Sequence, residues 1–298
     1  MTVPRTENEI VVGIDGSASS AAAVEWAAHD AQLRDRPLRL VHVVPPIVMP
    51  AMPWPELPVT YAQVAEDRAH QIVEQSYTLA VGASSPGRSS QIATEVVGGP
   101  IVSTLVGLSK AAEMIVVGSL GETAATRAVL GSVSSALVHR AHCPVAVIHG
   151  ERPRSLEAPV VVGVDGSEAS ELATEIAFAE ASQRRVDVVA LHAWSDMGPL
   201  GFPDFGWAPI DWRNMKELAE KEFAGRLSGW RDRYPEVRVL PVVVCDRPAN
   251  RLLEQAESAQ LIVVGSHGRG AATSMLLGSV SSAIVHSAQI PVIVARQG

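Results

Sequence analysis

Short apolar runs alternate with longer amphipathic stretches along the first half of the chain. Ile10–Ile14, Leu38–Val44, Gln91–Val97, Met114–Val117 and Val145–Ile148 are rich in Val, Ile and Leu. Runs of this length without strict polar alternation suit strands covered on both faces. Between them the period changes to that of a helix. Ser19–Leu33 sets Ala23, Trp26, Ala27 and Asp30 at helical spacing, and Thr60–Leu79 lines up Val64, Ala65, Ala69, Ile72 and Val73. Ile101–Lys110 and Val133–Arg140 read as two shorter helices. The pattern predicts βαβαβαβαβ, and strand–helix alternation implies a parallel sheet with right-handed crossovers.

The second half repeats the first. Val11-Val12-Gly13-Ile14-Asp15-Gly16-Ser17 returns as Val161-Val162-Gly163-Val164-Asp165-Gly166-Ser167, an offset of 150. Ile115-Val116-Val117-Gly118-Ser119 returns as Ile262-Val263-Val264-Gly265-Ser266, an offset of 147, so the copies differ in length between the second strand and this segment. A period this long marks a duplicated domain, since solenoid repeats run about 20–50 residues. The expected fold class is α/β: two tandem Rossmann-like domains, residues 1–149 and 159–298, joined by a charged linker at 150–158. Periodicity leaves strand order open. The order 3-2-1-4-5, with helices on both faces, is one common solution, and it opens a crevice beyond the carboxyl ends of strands 1 and 4.

Composition narrows the chemistry. With 47% hydrophobic and only 4% aromatic residues, each half has a Val/Ile/Leu/Ala core. A net charge of −8 argues against a general nucleic-acid or membrane-surface binder, because both need a basic face. It leaves room for an anionic small ligand held by backbone N–H groups. Two cysteines, Cys143 and Cys245, fall one in each half and form no disulfide framework. The first residues lack an apolar signal core, and no stretch approaches a membrane span, so a soluble cytoplasmic protein is expected.

The most distinctive chemistry follows the fourth strand. Gly118-Ser119-Leu120-Gly121 is followed after nine residues by Gly131-Ser132, and Gly265-Ser266-His267-Gly268 after nine residues by Gly278-Ser279. Glycine at 118 and 121 permits positive φ and lets a phosphate approach the backbone. The helix opening at Gly131-Ser132 offers its free N–H groups, Val133 among them, and the Ser132 hydroxyl to phosphate oxygens, with Ser134 a further hydroxyl on that first turn; Ser279, Val280 and Ser281 match them in the second copy. Asp15 and Asp165, each ending a first strand that carries Gly13 or Gly163, can accept from ribose hydroxyls or an adenine amino group, or hold a metal. Each also suits a helix cap. Arg127 and Arg269 are candidate phosphate cations at different loop positions. There is no P-loop signature and no G-x-G-x-x-G after strand 1.

At these residues the chain resembles the universal stress protein family in its tandem-domain form, whose ATP-binding pattern is G-x2-G-x9-G-[ST]. Both copies of the pattern are complete, both aspartates match, and the resemblance covers nearly the whole chain. It implies ATP held in each domain and a cytoplasmic homodimer that acts in stress response or growth control through a regulatory partner. It also implies that Val43, after His42, lies near adenine, with Ala193 after His192 in the second copy. The sequence does not decide whether Mg2+ accompanies the nucleotide.

Rival readings are a slow ATPase or nucleotidyl transferase, and a nucleotide-free interaction scaffold. Hydrolysis needs a base or water-positioning group. His267 is the one obvious loop candidate, and Leu120 stands at its place in the first copy. His42 and His192 read as structural strand residues. His139, His142 and Cys143 match no standard zinc spacing. The Pro-rich stretch Pro45–Pro58 and its counterpart Gly198–Trp212 are candidates for a lid over adenosine or a contact with the other domain.

Overall fold

The structure is a computed structural model that describes residues 8–46, 59–121, 130–149, 155–193, 212–268 and 277–296. The chain divides into two compact units, one up to Gly150 and the other from Glu151 to Arg296. In the first, β1 (Glu9–Ile14), α1 (Ala18–Leu33), β2 (Leu38–Val44), α2 (Val59–Ala83), β3 (Ile92–Gly98), α3 (Ile101–Leu108), β4 (Ala112–Gly118), α4 (Ser132–Arg140) and β5 (Val145–Ile148) follow in order. The strands lie β3-β2-β1-β4-β5, all parallel. Gln91 closes a 3-10 turn, Arg88–Gln91, instead of opening the third strand. Gly87, at φ 95°, turns the chain there, a conformation that favours glycine.

The second unit holds β6 (Val160–Gly163), α5 (Glu168–Arg184), β7 (Val188–Ala193), α6 (Trp212–Arg233), β8 (Val239–Val244), α7 (Pro248–Ala256), β9 (Leu261–Gly265), α8 (Ser279–Ser287) and β10 (Val292–Ala295). Its strands lie β8-β7-β6-β9-β10, again parallel. Both units therefore have the order 3-2-1-4-5.

The central strands β1, β4, β6 and β9 are buried along almost their whole length, which matches their unbroken apolar sequences. Residues such as Ile10, Val12, Ile115, Val161 and Ile262 have at most 0% exposure. In the first unit α1 packs on α2, and α3 packs on α4. The two pairs flank the crevice that opens past the carboxyl ends of β1 and β4. Charge enters the core where it is paired: Arg39 on β2 donates to Glu9 at 2.6 Å and to Glu95 at 3.4 Å. Removing Arg39 would take the shared cation from both carboxylates.

Candidate functional site

Two turns and a helix start build the site in each unit. After β1 the chain turns at Gly16 with φ 84°, and after β6 at Gly166 with φ 81°, conformations that glycine adopts without a Cβ penalty. Asp15 Oδ1 accepts from the Ser17 amide at 2.9 Å, and Asp165 Oδ1 from Ser167 at 2.9 Å. Ser17 and Ser167 in turn cap α1 and α5 by accepting from the Ser20 and Ser170 amides. The serine is thus the cap, and the aspartate fixes the turn before it with one oxygen. Its other oxygen faces the glycine loop: a Cβ on Gly121 would lie 3.2 Å from Asp15 Oδ2, and one on Gly268 2.6 Å from Asp165 Oδ2.

Positive φ does not explain the loop glycines. Gly118, Gly121, Gly131, Gly265, Gly268 and Gly278 are absent from the positive-φ residues, which corrects the expectation for Gly118 and Gly121. Close approach is the reason. A Cβ on Gly118 would meet the Ser19 carbonyl carbon and hydroxyl at 2.6 Å, and one on Gly265 would meet the Ala169 carbonyl at 2.8 Å. The end of the fourth strand thus presses directly on the first turn of the first helix. Ser19 adds a hydrogen bond from its hydroxyl to the Leu120 carbonyl.

The long loop is closed at its base by Gly131 N–H donating to Ser119 O at 2.7 Å, and by Gly278 to Ser266 O at 2.8 Å. Gly131 and Gly278 are the N-caps of α4 and α8, and neither end has a side-chain cap bond. The first-turn N–H groups of Ser132, Val133, Ser279 and Val280 therefore carry the positive end of each helix dipole without a cap from their N-cap residue. Ser134 and Ser281 serve a different bond: their buried hydroxyls donate to Gly118 O at 2.6 Å and to Gly265 O at 2.5 Å, tying helix to strand. The Ser119 and Ser266 side chains are buried as well.

In the first unit these parts enclose a cavity of about 700 Å3, within the usual range for small-ligand sites. Gly13, Asp15, Val43, Gly118, Leu120, Gly121 and Gly131 through Ser134 line it, so most of the first copy's sequence candidates converge there. Val41, Val44, Ile101 and Leu105 give it an apolar wall. His42 Nδ1 bonds to the Ile14 carbonyl at 2.8 Å, as His192 does to Val164 at 2.7 Å, which fixes both rings. An adjoining groove of about 490 Å3 shares Asp15, Arg68 and Ile72 with the cavity and continues along α2 past Asp67, Gln71 and Gln75.

Sequence reasoning missed the contributions of α2 and α3: Ala65, Arg68, Ile72, Ile101 and Leu105. Arg68 reads as a solvated helix position, and nothing local marks it as a site residue. Arg127, Arg269 and nearly all of both Pro-rich stretches lie outside the described residues, although Pro45 lines the cavity. Elsewhere, His139 Nδ1 bonds to the Ser135 carbonyl at 2.7 Å. Burial pushes the Cys143 thiol up to about 12, so it stays protonated at neutral pH. Among the described residues no group of three or more His, Cys, Asp or Glu side chains gathers to hold a metal, and no helix is long and apolar enough to cross a membrane.

In the second unit the same frame carries different walls. Phe223 of α6 stacks on the His192 ring with centroids 5.4 Å apart, and Ala193 stands where the first unit has Val43. His267 Nδ1 lies 3.0 Å from Ser266 Oγ.

The family model for the universal stress protein family matches residues 8–149 and again 158–296. A universal stress protein of Mycobacterium tuberculosis is 57% identical over 309 residues, covering 99% of this chain and 97% of its own length. A second from the same organism is 50% identical over 302 residues, covering all of both chains. Among solved structures, a universal stress protein from Archaeoglobus fulgidus superposes with a TM-score of 0.67 at 21% identity, covering 99% of this chain and 100% of that one, which supports the fold. Two family matches, one over each unit, and full-length relatives agree: the chain belongs to the universal stress protein family, with two such domains in tandem.

Proposed function

We propose that the protein binds ATP, one molecule per domain, and that occupancy regulates a protein partner in stress response or growth control. The observation that carries the reading is the first cavity. Its apolar wall of Val41, Val43, Ile101 and Leu105 suits a purine base, while its rim sets Asp15 opposite the uncapped start of α4. A nucleotide needs both: a dry slot for the ring and N–H donors for phosphate oxygens. The residues present fit that group. Val43 covers the base, Asp15 Oδ2 accepts from a sugar or base donor, and the Ser132 and Val133 amides receive phosphate. The matching frame in the second unit supports a second site there, with Ala193 and Phe223 changing the base wall.

Binding accounts for the shared residues better than turnover. His42 bonds to the Ile14 carbonyl and His192 to the Val164 carbonyl, and His267 has Leu120 at its place in the first copy.

Nucleotide released on denaturing the purified protein tests the reading. About two ATP per chain is expected, falling to about one in Asp15→Glu or Gly121→Ala with an unchanged fold by circular dichroism. A protein that carries no nucleotide and binds none when it is added would sink the proposal. His267→Ala is expected to leave phosphate release unchanged, and multiple turnover lost in that variant would favour the enzyme reading.

A further inference from the structure

Each unit brings an arginine from the helix after its second strand to the Asp-Gly-Ser turn, and the two arrive from different turns of that helix. In the first unit Ile72 of α2 sits against Gly16, with a Cβ there 3.1 Å from Ile72 Cγ1. Arg68 stands four residues earlier and lines both the cavity and the adjoining groove beside Asp15. In the second unit the anchor is Phe223, stacked on His192. Here the arginine stands three residues later: the Arg226 guanidinium lies so close over the turn that a Cβ on Gly166 would overlap it. Both arginines belong to exposed positions, so core packing does not dictate them.

Charge supplies the reason for a cation at this place. Among the described residues lining the first cavity, Arg68 is the one cation and Asp15 the one carboxylate. The chain as a whole carries a net charge of −8. A nucleoside polyphosphate entering beside an aspartate meets like charge, and a helix N-terminus offsets only about half an elementary charge. A guanidinium next to that aspartate restores the balance, and its planar fork suits phosphate oxygens.

We propose that Arg68 in the first domain and Arg226 in the second bind the phosphate charge of the nucleotide, one task met from non-equivalent helix positions. The assignment rests on the nucleotide reading above. It makes the preference for ATP over AMP depend on α2 and α6 as well as on the glycine loops.

The test is equilibrium binding of ATP, ADP and AMP to the full chain: wild type, Arg68→Gln, Arg226→Gln and the double variant, at low and moderate salt. Each single variant is expected to weaken ATP binding at one of the two sites on the order of ten-fold, AMP binding by less, and to flatten the salt dependence at that site. Arg68→Lys and Arg226→Lys keep the charge and are expected to retain the ATP-over-AMP preference. Unchanged ATP affinity in the Gln variants, or equal losses for all three nucleotides, would overturn the assignment while leaving the nucleotide reading in place. A wild-type chain that binds none of the three would overturn both.

Discussion

The two domains share one hydrogen-bonded frame and differ in the walls built on it. In each, a serine hydroxyl on the first turn of the fourth helix ties back to the last glycine of the fourth strand, at 2.6 and 2.5 Å. In each, the loop base closes through one amide at 2.7 and 2.8 Å, and a histidine bonds to the backbone carbonyl just before the aspartate at 2.8 and 2.7 Å. Around that frame Ala193 stands at the place of Val43 and His267 at that of Leu120, and Ile72 packs on the Gly16 turn where the second domain has Phe223 stacked on His192. The frame positions backbone amides, which every phosphate ligand uses alike. On the proposed nucleotide reading the walls would meet the base and the charge, where two sites can diverge without unfolding the domain.

The sharpest way to break this comparison is through the glycines that hold strand against helix. Gly118→Ala puts a methyl 2.6 Å from Ser19 backbone and hydroxyl, and Gly265→Ala puts one 2.8 Å from the Ala169 carbonyl. Backbone cannot swing aside as a side chain can. Each variant is expected to lose about 2–3 kcal/mol in chemical denaturation, by overpacking at a contact with no slack. Equal losses in both domains would mark a shared structural frame, whereas loss in only one would break it.

A smaller, still symmetric effect is expected from Ser134→Ala and Ser281→Ala. Each leaves a buried carbonyl, Gly118 or Gly265, short of its donor, at a cost of about 1–2 kcal/mol in the same measurement. Gly121→Ala and Gly268→Ala shift the comparison from stability to binding. The new methyl meets an aspartate oxygen at 3.2 Å in the first domain and 2.6 Å in the second, so calorimetry is expected to show the greater loss of nucleotide affinity in Gly268→Ala. The reverse order would mean that the aspartate yields and is not held by its turn.

The smallest effect comes from exchanging the walls. Val43→Ala removes two methyl groups from the cavity surface and Ala193→Val adds them, and Val43 is only 6% exposed. Affinity for adenine nucleotide is expected to fall a few-fold at the first site and to rise at the second, about 1 kcal/mol each way. No change at either site would show that these positions do not touch the base.

Much of this was legible from residue order. The alternation of apolar runs and helical periods, repeated at offsets of 150 and 147, matches ten strands in two sets, and most candidates of the first glycine loop and aspartate line one cavity. The role of Ser134 was not legible, because a hydroxyl on a first helical turn can face either a ligand or its own strand. Its burial and its bond to Gly118 decide for the strand. Arg68 and Arg226 were not legible either. They are exposed helix residues at different places relative to their helix anchors, Ile72 and Phe223, so matching the two copies position by position passes over them.

The sequence by itself determined what is local or repeated: the strand and helix periods, the duplicated domain, and the residue types that can meet a phosphate. Tertiary structure decided what depends on distance across the fold. It set the strand order and assigned the glycines to close approach between strand and helix, since packing rather than φ excludes a Cβ there. It also carried an arginine from a neighbouring helix to the aspartate turn. Periodicity records which face of an element is buried. Which elements meet, and how closely, is fixed only when the chain packs.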